Sequence, residues 1–181
     1  MGASTELPLV DHHCHGVVAA DLDDAAFERW ITESDRPPAP GTRNFETPLG
    51  LAIRAWCAPL LDLEPGVEAA DYMERRRQLG QAETCRLLLA ACGLERLLVD
   101  TGIAGAGLTD PDELAALAGV PAQEVVRIEL VAEEVARAGA DAAGFPHAFA
   151  TALEAAAAPG AVGLKTIAAY RHGLALAPAP P

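Results

Sequence analysis

Residues 10–16, Val10-Asp11-His12-His13-Cys14-His15-Gly16 (VDHHCHG), carry three of the five histidines in a chain of 181 residues. They follow directly on the apolar run Leu7-Pro8-Leu9-Val10. Residues 7–13 therefore read as a buried strand with the histidines at its C-terminal end. In a strand, residues i and i+2 face the same side. Asp11, His13 and His15 then project together, while His12 and Cys14 project the other way. Two imidazoles so placed can share one metal ion, each at about 2.0–2.1 Å. Asp11 can ligate weakly or orient a neighbouring group. The thiolate of Cys14 is a competent zinc ligand, but its opposite facing assigns the residue to packing. The place of the cluster argues against a chance grouping, because α/β proteins build sites where strands end.

Working outward, residues 22–34 predict an amphipathic helix with Asp21 as its cap. Residues 35–44, DRPPAPGTRN, hold three prolines and a glycine and read as a loop. Helices are expected over 49–61 and over 67–92, the latter broken near Gly80. Residues 94–102 form the second strand candidate, and 111–119 a short helix with Pro111 in its first turn. Residues 124–130 have the β-branched content of a strand and run into a helix over 131–139. A helix over 146–158 and a fourth strand over 161–170 complete the pattern. Strands alternating with helices imply a parallel α/β sheet. The long helical stretch between the first two strands reads as an insertion over residues 17–93.

Lys165 is the second chemical signal. On the strand 161–170 it shares a face with Gly163 and Ile167. A lysine in the middle of a buried run is expensive unless it is used. Asp100 ends the second strand, where it can reach the same site or simply cap and meet solvent. The glycines of DTGIAGAG, residues 100–107, invite a dinucleotide reading. It fails because Asp110 stands where the third glycine of that fingerprint belongs. Arg171 and His172 follow the fourth strand and can line a pocket for a carboxylate. His147 reads as an ordinary helix histidine. The basic cluster ERRRQ, residues 74–78, reads as a helix face with local salt bridges.

Composition narrows the partners. A formal charge of −13 repels phosphate backbones and anionic lipid, so neither nucleic acid nor membrane is expected. A chain that is 51% hydrophobic can build a core despite that charge. Cys14, Cys57, Cys85 and Cys92 show no zinc-knuckle or redox spacing. No signal peptide and no bilayer-spanning run is visible, and a reduced, cytoplasmic protein is expected.

Asp-x-His-x-His at the end of a first strand, followed much later by a strand with a central lysine, resembles the amidohydrolase superfamily. VDHHCHG together with GLKTIAAYRHGL resembles its amidohydrolase-related branch. Within that branch it resembles the module that precedes a glutamine synthetase domain in some proteins. The resemblance covers nearly the whole chain, taken as one domain over 1–181. It implies a (β/α)8 barrel with the metal at its C-terminal face, and His13 and His15 as ligands from the first strand. It implies a divalent metal, zinc, as one or two ions, and a metal-activated water that attacks an amide, ester or related carbon of a small-molecule substrate. Lys165 matches the strand-four lysine that is carboxylated and bridges two metals in some members. Other members of the branch are mononuclear, decarboxylases or hydratases.

The same family draws histidines from its fifth and sixth strands and an aspartate from its eighth, whereas four strands are legible here. A barrel of this type needs about 200 residues or more. The expected fold is thus the N-terminal half of a (β/α)8 TIM-type barrel with a helical insertion after the first strand. Self-association, or pairing with a C-terminal half, is the expectation for partners. The alternative function is a non-catalytic remnant that binds metal weakly or pairs with another chain.

Overall fold

In chain order the elements are β1 (Leu9–Cys14), α1 (Asp24–Trp30), α2 (Pro48–Ala52), α3 (Ala69–Leu79), α4 (Gln81–Ala91), β2 (Leu94–Asp100), α5 (Pro111–Ala118), β3 (Ala122–Arg127), α6 (Ile128–Arg137), α7 (Phe145–Ala157), β4 (Gly163–Lys165) and α8 (Ala168–Arg171). The structure, a computed structural model, describes residues 7, 9–103, 107–157, 160–171 and 173–175. They fall into two units. One holds residues 17–94 and 116–119; the other holds 9–16, 95–115 and the chain from 120 onward.

The first unit is helical. Phe27, Phe45 and Tyr72 meet in its centre, with ring centroids 5.3 to 6.2 Å apart. Ile31, Ala58, Leu61 and Met73 are buried around them. The guanidinium of Arg76 lies 4.8 Å from the centre of the Phe27 ring, so one arginine of the basic cluster covers this core. Arg75 and Arg77 pair with Asp62, Asp24 and Glu74. The cluster is thus a salt-bridged helix face, as its composition predicts.

Capping differs from the sequence reading. Asp23, not Asp21, caps α1, its carboxylate accepting the Ala26 N–H at 2.7 Å. Asp21 instead accepts the N–H of Gln81, the first residue of α4, at 2.7 Å. Gly80 takes φ 77° between α3 and α4, a left-handed turn that favours glycine and makes two helices of residues 67–92. The helix expected over 49–61 is three pieces: α2, a π turn over Ile53–Cys57 and a 3-10 turn over Pro59–Leu61. Pro59 has no N–H to continue an α-helical ladder, so the helix widens before it and tightens after it. Replacing Asp23 with alanine should cost about 1 kcal/mol in thermal or urea unfolding, the usual value of a helix N-cap. An unchanged midpoint would show that the cap does not contribute.

The second unit contains a four-stranded sheet in the order β1-β2-β3-β4. Val125 stands opposite Asp100 on β2 and Gly163 on β4, and Arg127 stands opposite Lys165. These pairings are parallel, and paired residues share a face. One face therefore carries Leu98, Asp100, Gln123, Val125, Arg127, Gly163 and Lys165. The other carries Leu97, Val99 and Val126, all buried. Helix α6 turns Val131 and Val135 inward, four residues apart on one helix face. A sequential parallel sheet with helices between its last three strands is half of an eight-stranded barrel. Its outer strands are not the buried runs that their apolar content predicts: as edge strands they expose Leu9 and Val10 at one side and Leu164 at the other.

The fourth strand is shorter than the run 161–170 predicts. Pairing stops at Lys165, and the hydroxyl of Thr166 accepts the Ala168 N–H at 3.1 Å as the chain enters α8. Thr166 also bonds Glu129, at the start of α6. A hydroxyl that competes for local backbone groups, ahead of two alanines, turns the strand into a helix. All four cysteines are free thiols, and no helix among the described residues is long and apolar enough to cross a membrane.

Candidate metal centre

Strand alternation places Asp100, Arg127 and Lys165 on one sheet face at the C-terminal ends of three adjacent strands. Arg127 and Lys165 are direct cross-strand neighbours, a like-charge pair that would destabilise the sheet unless neutralised. Asp100 is that counter-ion. Its Oδ2 accepts from Arg127 at 2.7 Å (Nη2) and 3.3 Å (Nε), and from Lys165 Nζ at 2.8 Å. Its Oδ1 accepts the Gly102 N–H at 2.8 Å. The residue is only 2% exposed, which makes it the most buried carboxylate of the site. Burial pushes the Asp100 carboxyl up. The hydrogen bonds from Arg127, Lys165 and Gly102, with the charge of Arg127, outweigh that and hold it down to about 2.

The histidines reach the same place from β1. His15 Nδ1 lies 2.8 Å from the backbone oxygen of Asp100. A carbonyl only accepts, so Nδ1 carries the hydrogen and the lone pair of His15 is on Nε2. His13 Nε2 lies 2.6 Å from Lys165 Nζ. An ammonium only donates, so charged Lys165 leaves the lone pair of His13 on Nε2 as well. The two rings stand edge to face, centroids 5.8 Å apart. Ligand atoms of His13, His15 and Asp100 lie within 4.8 Å of one another. Two imidazoles and a carboxylate are a donor set that zinc accepts, and the backbone bond that orients His15 is a usual companion of a metal-bound histidine. These residues fit a divalent metal, provided that the Lys165 ammonium leaves the lone pair of His13 Nε2.

The remaining candidates separate cleanly. Asp11 accepts the His13 N–H at 3.2 Å, so it braces the β1 backbone and is outside the convergent group. The Cys14 thiol donates to the Leu98 oxygen at 3.4 Å. Burial, and then the charge of Asp11, push it up to about 11, which keeps it a thiol and agrees with packing. His12 and His147 are exposed. Arg171 is the last residue of α8; its side chain, and His172 altogether, lie outside the described residues. So do residues 104–106 of the glycine-rich loop. A cavity of about 270 Å³ borders Asp100 and Gly16, but neither histidine nor Lys165 lines it.

Over 97% of its length the chain superposes, with a TM-score of 0.71 and 27% sequence identity, on the crystal structure of a "putative metal-dependent hydrolase" from Lactobacillus casei ATCC 334. The match spans 46% of that protein, so this chain covers about half the length of the structure it resembles. No protein-family model matches the chain, and no curated protein does.

The likeness to the Lactobacillus casei structure and the sequential parallel sheet agree on a half-barrel. Two features of the site were harder to read in the sequence. Asp100, for which a solvated or capping role was at least as plausible, is at its centre. Arg127 gave no signal by composition or motif. Its place at the end of the β3 run, in register with Lys165, was the one clue available.

Proposed function

We propose that this chain furnishes the metal-binding half of an amidohydrolase-type, metal-dependent hydrolase. The convergence of His13, His15 and Asp100 within 4.8 Å, at the strand ends of a half-barrel, carries this reading. In it, His15 offers Nε2 to one divalent metal such as zinc, His13 offers its Nε2 once the Lys165 ammonium withdraws from that lone pair, and Asp100 completes the set from this chain. A divalent ion held there would supply Lewis acidity for attack of water on an amide, ester or related carbon of a small molecule. The chain's own residues orient that chemistry. The Asp100 carbonyl fixes the His15 ring, and Arg127 holds the Asp100 carboxylate. Lys165, 20% exposed at the side chain, reaches His13 and Asp100 together. It serves as a substrate contact or, once carboxylated, as a bridge to a second metal.

Among the described residues, four strands leave two sheet edges whose apolar side chains meet solvent. We propose that a further set of strands closes them, and that turnover needs this complement. The test is an assay of amide, ester and lactone hydrolysis with zinc. The chain is assayed alone and then with a separately produced polypeptide that supplies the later strands of such a barrel. No turnover alone, and turnover with the complement that a chelator removes, is the expected result. Chelator-resistant turnover would contradict the metal reading. A complex that assembles, binds zinc and stays inert on every substrate class would favour a non-catalytic binding role.

A further inference from the structure

Arg127 has a setting that a surface counter-ion does not need. It is a β3 residue whose guanidinium reaches across to β2 and grips a single oxygen of Asp100 through two of its nitrogens. Its side chain is 16% exposed and its partner 2%. The neighbouring loop is shaped around it. A Cβ on Gly102 would meet Arg127 Nε at 2.6 Å, Cδ at 2.9 Å and Cβ at 3.0 Å, all closer than side chains pack. The same Gly102 donates its N–H to the other carboxylate oxygen at 2.8 Å. Asp100 is therefore held at both oxygens, with Gly102 the common element of both holds. Lys165 reaches the same Oδ2, but its ammonium is a point donor on a flexible stem and sets no plane.

We infer that Arg127 is the positioning residue of this centre: packed against Gly102, it fixes the plane of the Asp100 carboxylate so that Asp100 can join His13 and His15 around one divalent ion. The inference rests on the metal-binding reading above. It separates two roles that are easily merged. If Arg127 only balanced charge, any cation would serve. If it positions, the fork and its seat both matter.

Three variants distinguish these roles. Arg127→Met removes charge and fork, Arg127→Lys keeps the charge but loses the two-point grip, and Gly102→Ala keeps the guanidinium but displaces it. Zinc dissociation constants come from competition with a chromophoric chelator, alongside thermal unfolding to establish that each variant is folded. Arg127→Met and Gly102→Ala should bind zinc about 10- to 100-fold more weakly, the usual cost of losing an outer partner of a metal ligand. Arg127→Lys should fall between them and the unaltered chain. Wild-type affinity in Arg127→Lys or in Gly102→Ala would overturn the proposal, because charge alone would then suffice. A crystal structure of metal-free Arg127→Met supplies a readout independent of zinc. The Asp100 carboxylate should rotate and lose its bond to the Gly102 N–H; an unmoved carboxylate would overturn the inference. If the unaltered chain takes up no zinc, the metal reading fails, and this structure still decides whether Arg127 positions Asp100.

Discussion

Alanine at both His13 and His15 is expected to reduce divalent-metal uptake to background. The two rings supply the only neutral nitrogen donors in the convergent group, and Asp100 is its third member. With both rings gone a single carboxylate remains in the group, and one donor is too few to hold zinc, which takes four. Each histidine alone should weaken binding without abolishing it, because one imidazole and Asp100 remain. Both rings reach an exposed or half-buried surface, so the double variant should fold nearly as well as the parent. Elemental analysis of protein dialysed against zinc and then buffer checks this. Unchanged stoichiometry in the double variant would place the metal elsewhere.

Asp100→Ala should have the second large effect, and it should act on stability as well as on metal. It leaves two cations side by side on adjacent strands, their side chains 16% and 20% exposed, with their shared counter-ion gone. Removing one partner of a buried pair costs about 3–5 kcal/mol, and the partial exposure of both cations points to the lower end of that range. Acid should mimic the loss in part. The Asp100 carboxyl is held down to about 2, below its ordinary 3.8. A lowered folded-state value stabilises the protein above the unfolded-state value and loses that contribution as pH falls. The window therefore runs from about pH 4 down to about pH 2, and the amount lost is about 2 kcal/mol. Urea unfolding of parent and Asp100→Ala at pH 6 and pH 3 measures both. The gap between the two proteins should narrow at pH 3. A gap that is small at pH 6, or that widens in acid, would mean that Asp100 does not neutralise this pair.

The fold was legible because its signals are local. Alternating strand and helix patterns with turn residues between them located β1, β2, β3 and most helices to within a few residues. The C-terminal ends of β4 and of the 49–61 helix were not legible. Each is decided by one side chain competing for the backbone, Thr166 in the first case and Pro59 in the second. In the site, the i, i+2 spacing of His13 and His15 is a local fact and could be read directly. The same alternation put Lys165 and Gly163 together. Asp100 and Arg127 needed the register of three strands, which no single segment encodes. A solvated aspartate and a buried one look alike until Arg127 and Lys165 are seen to flank it. Asp11, which lies on the favoured face by spacing, is drawn instead to the adjacent His13 N–H.

The most direct measurement is zinc anomalous scattering from crystals of the chain grown or soaked with zinc. One peak is predicted, about 2.0–2.1 Å from Nε2 of both His13 and His15, with the Asp100 carboxylate beside it. A strongest peak at Cys14, or no zinc density at these two nitrogens, would contradict a metal centre at the strand ends of this half-barrel.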